Sequence, residues 1–212
     1  MDCAICGNRR PRRSCPAVHG DICPTCCGEG RETTLRCPLE CEHLRESRKH
    51  DKPVVLEPGQ VPNRDIPVTE EFLESREELL AAISTALLQT ALGTEGVVDF
   101  DVRDAIEALI RTHRTLAAGI QYHTRPENRL AAALYDAVQK AVGEFRARET
   151  ELLGMPRTRD NDVLGLLVFL HRFELDQNNG RARGRAFLDA LRGVYSYPPA
   201  PDPPAPSPLL LP

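Results

Sequence analysis

Eight cysteines carry the first recognisable chemistry in this chain, and all of them fall between Cys3 and Cys41. They run as Cys3-x2-Cys6, Cys15, Cys23-x2-Cys26-Cys27 and Cys37-x3-Cys41, with none in the 171 residues that follow. Thiols two or three residues apart can turn around a single ion, as tetrahedral zinc requires. Eight of them make two four-thiolate sites or four disulfides. The opening Met1-Asp2-Cys3 lacks the basic and apolar stretches of an export signal, so the chain reads as cytoplasmic, where disulfides are disfavoured. The expectation is two zinc ions held by Cys3, Cys6, Cys15, Cys23, Cys26, Cys27, Cys37 and Cys41. Thiolate-saturated sites leave no position for water, so the metal is expected to hold structure and not to catalyse.

The neighbours of the cysteines support this reading. Gly7 follows Cys6 and Gly28 follows Cys27, where a positive φ lets backbone N–H groups point at sulfur. Cys15, Cys23 and Cys37 each precede a proline, which stiffens the turn. The pairs assemble as Cys3/Cys6, Cys23/Cys26, Cys15/Cys27 and Cys37/Cys41. An interleaved arrangement puts the first two pairs on one ion and the last two on the other. A sequential one joins Cys3, Cys6, Cys15 and one of the middle three. Adjacent Cys26 and Cys27 point different ways, which leans toward interleaving. His19 and His43 are alternative ligands, read more simply as solvated loop histidines. Arg9, Arg10, Arg12 and Arg13 form a basic knuckle between the first two cysteine groups. It can meet phosphates or neutralise thiolates; a net charge of −4 over the whole chain favours the second role.

These ligands need elements to hold them, and residues 1–50 have few large apolar side chains: Ile5, Val18, Ile22, Leu35, Leu39 and Leu44. A segment so poor in core rarely folds unaided, whereas a structural zinc supplies on the order of 10 kcal/mol. The fold class expected is mainly α: a small two-zinc module at 1–50, a proline-rich linker at 51–68, and a four- or five-helix bundle at 69–193. A disordered proline-rich tail at 194–212 completes it. Within the linker, Val54-Val55-Leu56 is read as a short strand. The first helix is predicted from a Thr69 cap to Leu92, with Phe72, Leu79, Ile83, Leu87 and Ala91 on one stripe. Asp99 or Asp101 caps the second, whose apolar face runs from Val102 to Ile120. A Thr124/Glu127 capping box around Pro126 starts the third, which Gly154 stops near Leu153. The fourth, Asp162 to Asp176, is apolar on most sides and belongs at the centre of the bundle. A fifth carries Phe187, Leu188 and Leu191. From Pro198 to Pro212 eight of fifteen residues are proline, a composition for polyproline II or disorder.

Elsewhere the chemistry is thin. His113 lies on an apolar face, and His171 stands three residues before Glu174, reversed from the Glu-x-x-His order of bundle metal sites. Both are read as hydrogen-bonded core histidines. No nucleophile elbow or phosphate-binding glycine loop is present, so no enzyme activity is expected. No apolar run reaches the ~18 residues of a membrane span, and with no Trp a base-stacking platform is not expected. Arg181, Arg183 and Arg185 alternate beside Asn178 and Asn179. On an extended segment they face one way as a contact surface, or they balance a helical body of formal charge −5.

The segments Pro11-Arg12-Arg13-Ser14-Cys15-Pro16, Ile22-Cys23-Pro24-Thr25-Cys26-Cys27-Gly28, Arg31-Glu32 and Cys37-Pro38-Leu39-Glu40-Cys41 resemble a cysteine-rich N-terminal module of uncharacterised bacterial proteins. The resemblance covers about the first fifty residues; it implies metal binding and conveys no reaction. The leading expectation is a zinc-stabilised interaction or adaptor protein whose partner is another protein. A redox or zinc-responsive switch, in which oxidation of Cys26 and Cys27 ejects metal, is the rival. Nucleic-acid binding through the two arginine clusters is a third reading.

Overall fold

The structure, a computed structural model, describes residues 2–51, 57, 59 and 61–195. The expected strand at Val54-Val55-Leu56 and the tail beyond residue 195 lie outside the described residues. The chain is mainly α, with eight helices and one two-stranded sheet among the described residues.

The cysteine module builds more regular structure than its sparse apolar content suggests. β1 (Arg13–Cys15) and β2 (Gly20–Ile22) form an antiparallel hairpin in which Arg13 faces Ile22 and Cys15 faces Gly20. His19, at φ 50°, makes the left-handed step of its turn. α1 (Pro24–Gly30) follows directly, with Pro24 in its first turn and the Cys23 sulfur accepting from the Cys26 N–H as cap. α2 (Glu42–Arg48) buries Leu44. Ile22, Leu35 and Leu44 pack with six buried cysteines into a core of their own.

The body is a bundle of α4 (Glu77–Gly93), α5 (Asp99–Ala117), α6 (Arg129–Leu153), α7 (Asp160–Gln177) and α8 (Ala186–Tyr195), preceded by the short α3 (Glu70–Glu74). α5 packs on α7 and α6, and α4 on α6 and α8. The expected single first helix is two. Arg76 breaks it at φ −132° and ψ 23°, and its guanidinium reaches Asp162 on α7 at 2.6 Å. The break also lays Phe72 on α7, where a Cβ added to Gly165 would stand 2.5 Å from Cζ of the ring.

Other boundaries move for similar reasons. α6 starts at Arg129, three residues later than expected, because Asn128 caps Leu130 N and also donates to Asp101 at 2.6 Å. Thr124 is tied instead to α5, its N–H donating to Thr112 Oγ1 at 2.9 Å. Ile120 lies beyond the end of α5 and is exposed. Val194 and Tyr195, assigned to the tail, belong to α8. Residues of the expected linker are strapped to the bundle: Arg172 donates to the carbonyls of Pro62, Asn63 and Ile66. α7 is buried on most of its surface, as its composition predicts, and Gly154 ends α6 at φ 78°.

Two polar contacts inside the bundle settle residues singled out above. His113 is buried between Asp160 (3.1 Å) and Gln139 (3.0 Å). His171 lies 3.4 Å from Glu107, while Glu174 forms a pair with Arg103 at 2.7 Å. The His171–Glu174 spacing therefore makes no shared site.

Candidate metal centre

The first knuckle forms because Gly7 takes φ 60°, so that its N–H closes onto the Cys3 carbonyl at 2.8 Å. Ala4 N donates to Asp21 O at 2.9 Å, which pins this turn to the hairpin. The second knuckle is the start of α1. Cys23 N donates to the Cys3 sulfur at 3.2 Å, and Cys26 N to the Cys23 sulfur at 3.4 Å. Gly28 lies inside α1 with no positive φ, because the proline and the sulfur cap have already begun the helix that carries Cys26 and Cys27.

These turns bring Cys3, Cys6, Cys23 and Cys26 together, with all four sulfurs within 4.8 Å of one another. That is close enough to hold one metal ion. The set is the first half of the interleaved arrangement. Cys26 and Cys27 project about 100° apart around the helix, so only Cys26 enters it.

The four thiols sit in unlike electrostatic settings. Backbone N–H groups, that of Cys6 foremost, pull Cys3 down to about 6. The Cys26 N–H likewise lowers Cys23. Cys26, beside the Cys23 sulfur and desolvated, is pushed up to about 12. Backbone N–H groups thus favour the thiolate forms of Cys3 and Cys23, and the neighbouring sulfurs hold the proton on Cys26. Arg9 sits beside Cys23 and is itself raised by that sulfur, in keeping with the neutralising role for the knuckle.

Among the described residues this is the single set of metal-binding side chains drawn so close. Cys15, Cys27 and Cys37 are buried in the same core, with Cys41 packed against it, but they do not close into a second set of that tightness. The Cys27 sulfur instead accepts from Arg13 at 3.3 Å and Arg31 at 3.8 Å. Burial raises Cys37, and the charges of Cys41 and Cys15 add to that effect. Arg10 and Arg12 are exposed.

Glu32 is the residue that sequence reasoning missed. It stands at φ 52° and is completely buried. Its carboxylate accepts from Arg48 at 2.7 Å, from Asn179 at 2.8 Å and from the Arg185 N–H at 3.0 Å. Its carbonyl takes the Arg183 N–H at 2.8 Å. Arg48 also pairs with Asp189 on α8, and Arg192 of that helix reaches Glu40 at 2.7 Å. The module is therefore docked on one end of the bundle.

The arginine loop is part of that docking. It is a turn and not an extended segment: Asn178 and Asn179 side chains accept from Gly180 N and Arg181 N, and Gly184 N donates to Arg181 O. Arg181 donates to Arg31 O at 3.4 Å and Arg183 to Thr34 O at 2.7 Å. No local pattern marks Glu32 for this role, since its partners lie up to 153 residues away.

Among the described residues no helix is long and apolar enough to cross a membrane. No protein-family model, curated protein or solved structure matches the chain.

Proposed function

We propose that the chain is a zinc-stabilised interaction protein, with a metal-built N-terminal module held against a helical body. The observation that carries this reading is the four-sulfur set of Cys3, Cys6, Cys23 and Cys26. A set of four cysteine sulfurs suits zinc in a structural role. A second zinc at Cys15, Cys27, Cys37 and Cys41 completes the proposal, supported by their shared core and by the influence of Cys15 and Cys41 on Cys37. Exposed Arg10 and Arg12, in the stretch between Cys6 and Cys15, are the surface offered to an acidic protein partner.

The switch reading has less support, because Cys26 and Cys27 are both buried within α1. Nucleic-acid binding also has less, because Arg9 and Arg13 turn toward sulfur while Arg181 and Arg183 hold the module.

Elemental analysis with zinc X-ray absorption on the purified protein tests the metal. Two equivalents with an all-sulfur first shell are expected; a shell dominated by oxygen, or no metal, refutes the reading. Capture of binding proteins by the wild type and by an Arg10→Gln/Arg12→Gln variant tests the surface. An identical set from both removes those arginines from it.

A further inference from the structure

Where the module meets the bundle, a cavity of about 490 Å³ is left between the two. That volume is in the range of small-molecule sites. Its apolar wall is Pro38, Leu92, Val97, Val98 and Leu130, and its charged groups are Arg36, Arg183, Arg185, Glu95 and Asp101.

Most of these groups already have hydrogen-bond partners. Arg36 pairs with Glu95 at 3.2 Å, where both are well exposed. Arg183 donates to Thr34 O at 2.7 Å. Asp101 accepts from Val98 N at 2.9 Å and from Asn128 at 2.6 Å.

Arg185 differs. Its backbone N–H is bound by Glu32, yet its guanidinium has no hydrogen bond or ion pair among the described residues, and its Nε is buried without a partner. A half-buried guanidinium in that state is costly unless an anion joins it. Burial lowers its pKa, and the more distant charges of Asp99 and Glu40 only partly offset this.

We propose that this seam cavity binds a small aliphatic monocarboxylate, its tail against Leu92, Val97, Val98 and Leu130 and its carboxylate on Arg185. Arg185 is the one cation of the wall whose guanidinium is unbonded among the described residues, and the charged lining sums to a formal +1, which calls for one negative charge. The apolar share of the walls calls for a hydrocarbon tail, and a carboxylate matches a single guanidinium. The site goes beyond the interaction role proposed above and does not depend on the identity of the metal. It exists only while the module is docked.

The test uses the full chain as purified, with octanoate as probe and titration calorimetry as readout. Saturable binding of one octanoate per chain is expected, with octanol at least tenfold weaker and octylamine not bound. Arg185→Gln should weaken octanoate at least tenfold. Equal binding by wild type and variant, equal binding of octylamine, or no binding of octanoate overturns the proposal. Should Arg185→Gln fail to fold, Leu92→Trp keeps the test open. Leu92 is 45% exposed on the cavity rim, and the chain has no other Trp. Octanoate should shift that fluorescence with one-to-one saturation while octylamine does not, and an unresponsive signal overturns the site.

Discussion

Glu32 gives one carboxylate to three donors drawn from two distant stretches of chain. Glutamine keeps the shape but replaces an acceptor oxygen by an NH2 group that faces Arg48, Asn179 or the Arg185 N–H. It also leaves Arg48 with Asp189 as its remaining ion-pair partner. Glu32→Gln should therefore cost about 3 kcal/mol, the loss typical of a broken buried pair, read from denaturant unfolding. A change below about 0.5 kcal/mol would mean that the seam is solvated in solution. Asp99 makes a different prediction. It accepts from the Phe187 and Leu188 N–H groups at the start of α8. Burial, with the negative charges of Glu174 and Glu32, nevertheless pushes it up to about 7. Its folded pKa lies above the unfolded value of about 4. The stability it contributes is thus fully present below about pH 4 and is lost as pH rises toward 7. Asp99→Asn should flatten the unfolding midpoint over that window, and an unchanged slope would assign the pH dependence elsewhere. The cysteines were readable from spacing because ligand pairs two residues apart are local. Glu32 and Asp99 were not, since neither capping nor periodicity announces a carboxylate whose donors come from another part of the chain.

Helix stripes are likewise local, which is why α4 to α8 could be placed from the apolar positions of the sequence. The break between α3 and α4 could not, because the cause is tertiary. Arg76 leaves helical geometry to reach Asp162, and Phe72 then covers Gly165. Gly165 is the one place in α7 where a ring can lie directly on the helix backbone. Gly165→Val should displace Phe72 and cost about 1–3 kcal/mol by overpacking, seen as a lower melting temperature. Adding Phe72→Ala should recover part of that loss. If the double variant is instead less stable than the single one by the full cost of removing Phe72, the ring is held by contacts other than Gly165. The module's hairpin and two short helices were also missed. Three-residue strands carry too little alternation to recognise, and their stability comes from the cysteine core and not from their own pattern.

Among the described residues two hydrophobic cores are joined by a polar seam. Because the bundle core includes no residue of the module, chelation should remove no more helix signal than the two seven-residue helices α1 and α2 contribute. Trypsin should at the same time begin to cut at Arg9 to Arg13, Arg31 and Arg36. Loss of most circular dichroism on chelation would show that the bundle leans on its docked partner. The division into module and bundle was visible in composition, since all the thiols precede residue 42 and the long apolar helices follow it. Their docking was not, because a seam made of single long-range hydrogen bonds leaves no mark in composition.

The separation of Glu32 from Asn179, 147 residues along the chain, also sets an order of events during synthesis. The module is translated before the bundle, so the surface that receives Glu32 is still to be made when the cysteines have emerged. At ~5–20 residues per second, the finished module waits about 7–30 s for α7 and α8. During that interval the Glu32 carboxylate lacks Asn179 and Arg185 and is free to meet a basic surface nearby. The contact that ends this exposure forms only after residues 179–189 have been made. Nascent chains halted before residue 179 should bind metal yet remain cleavable between module and bundle, and those halted after α8 has emerged should not.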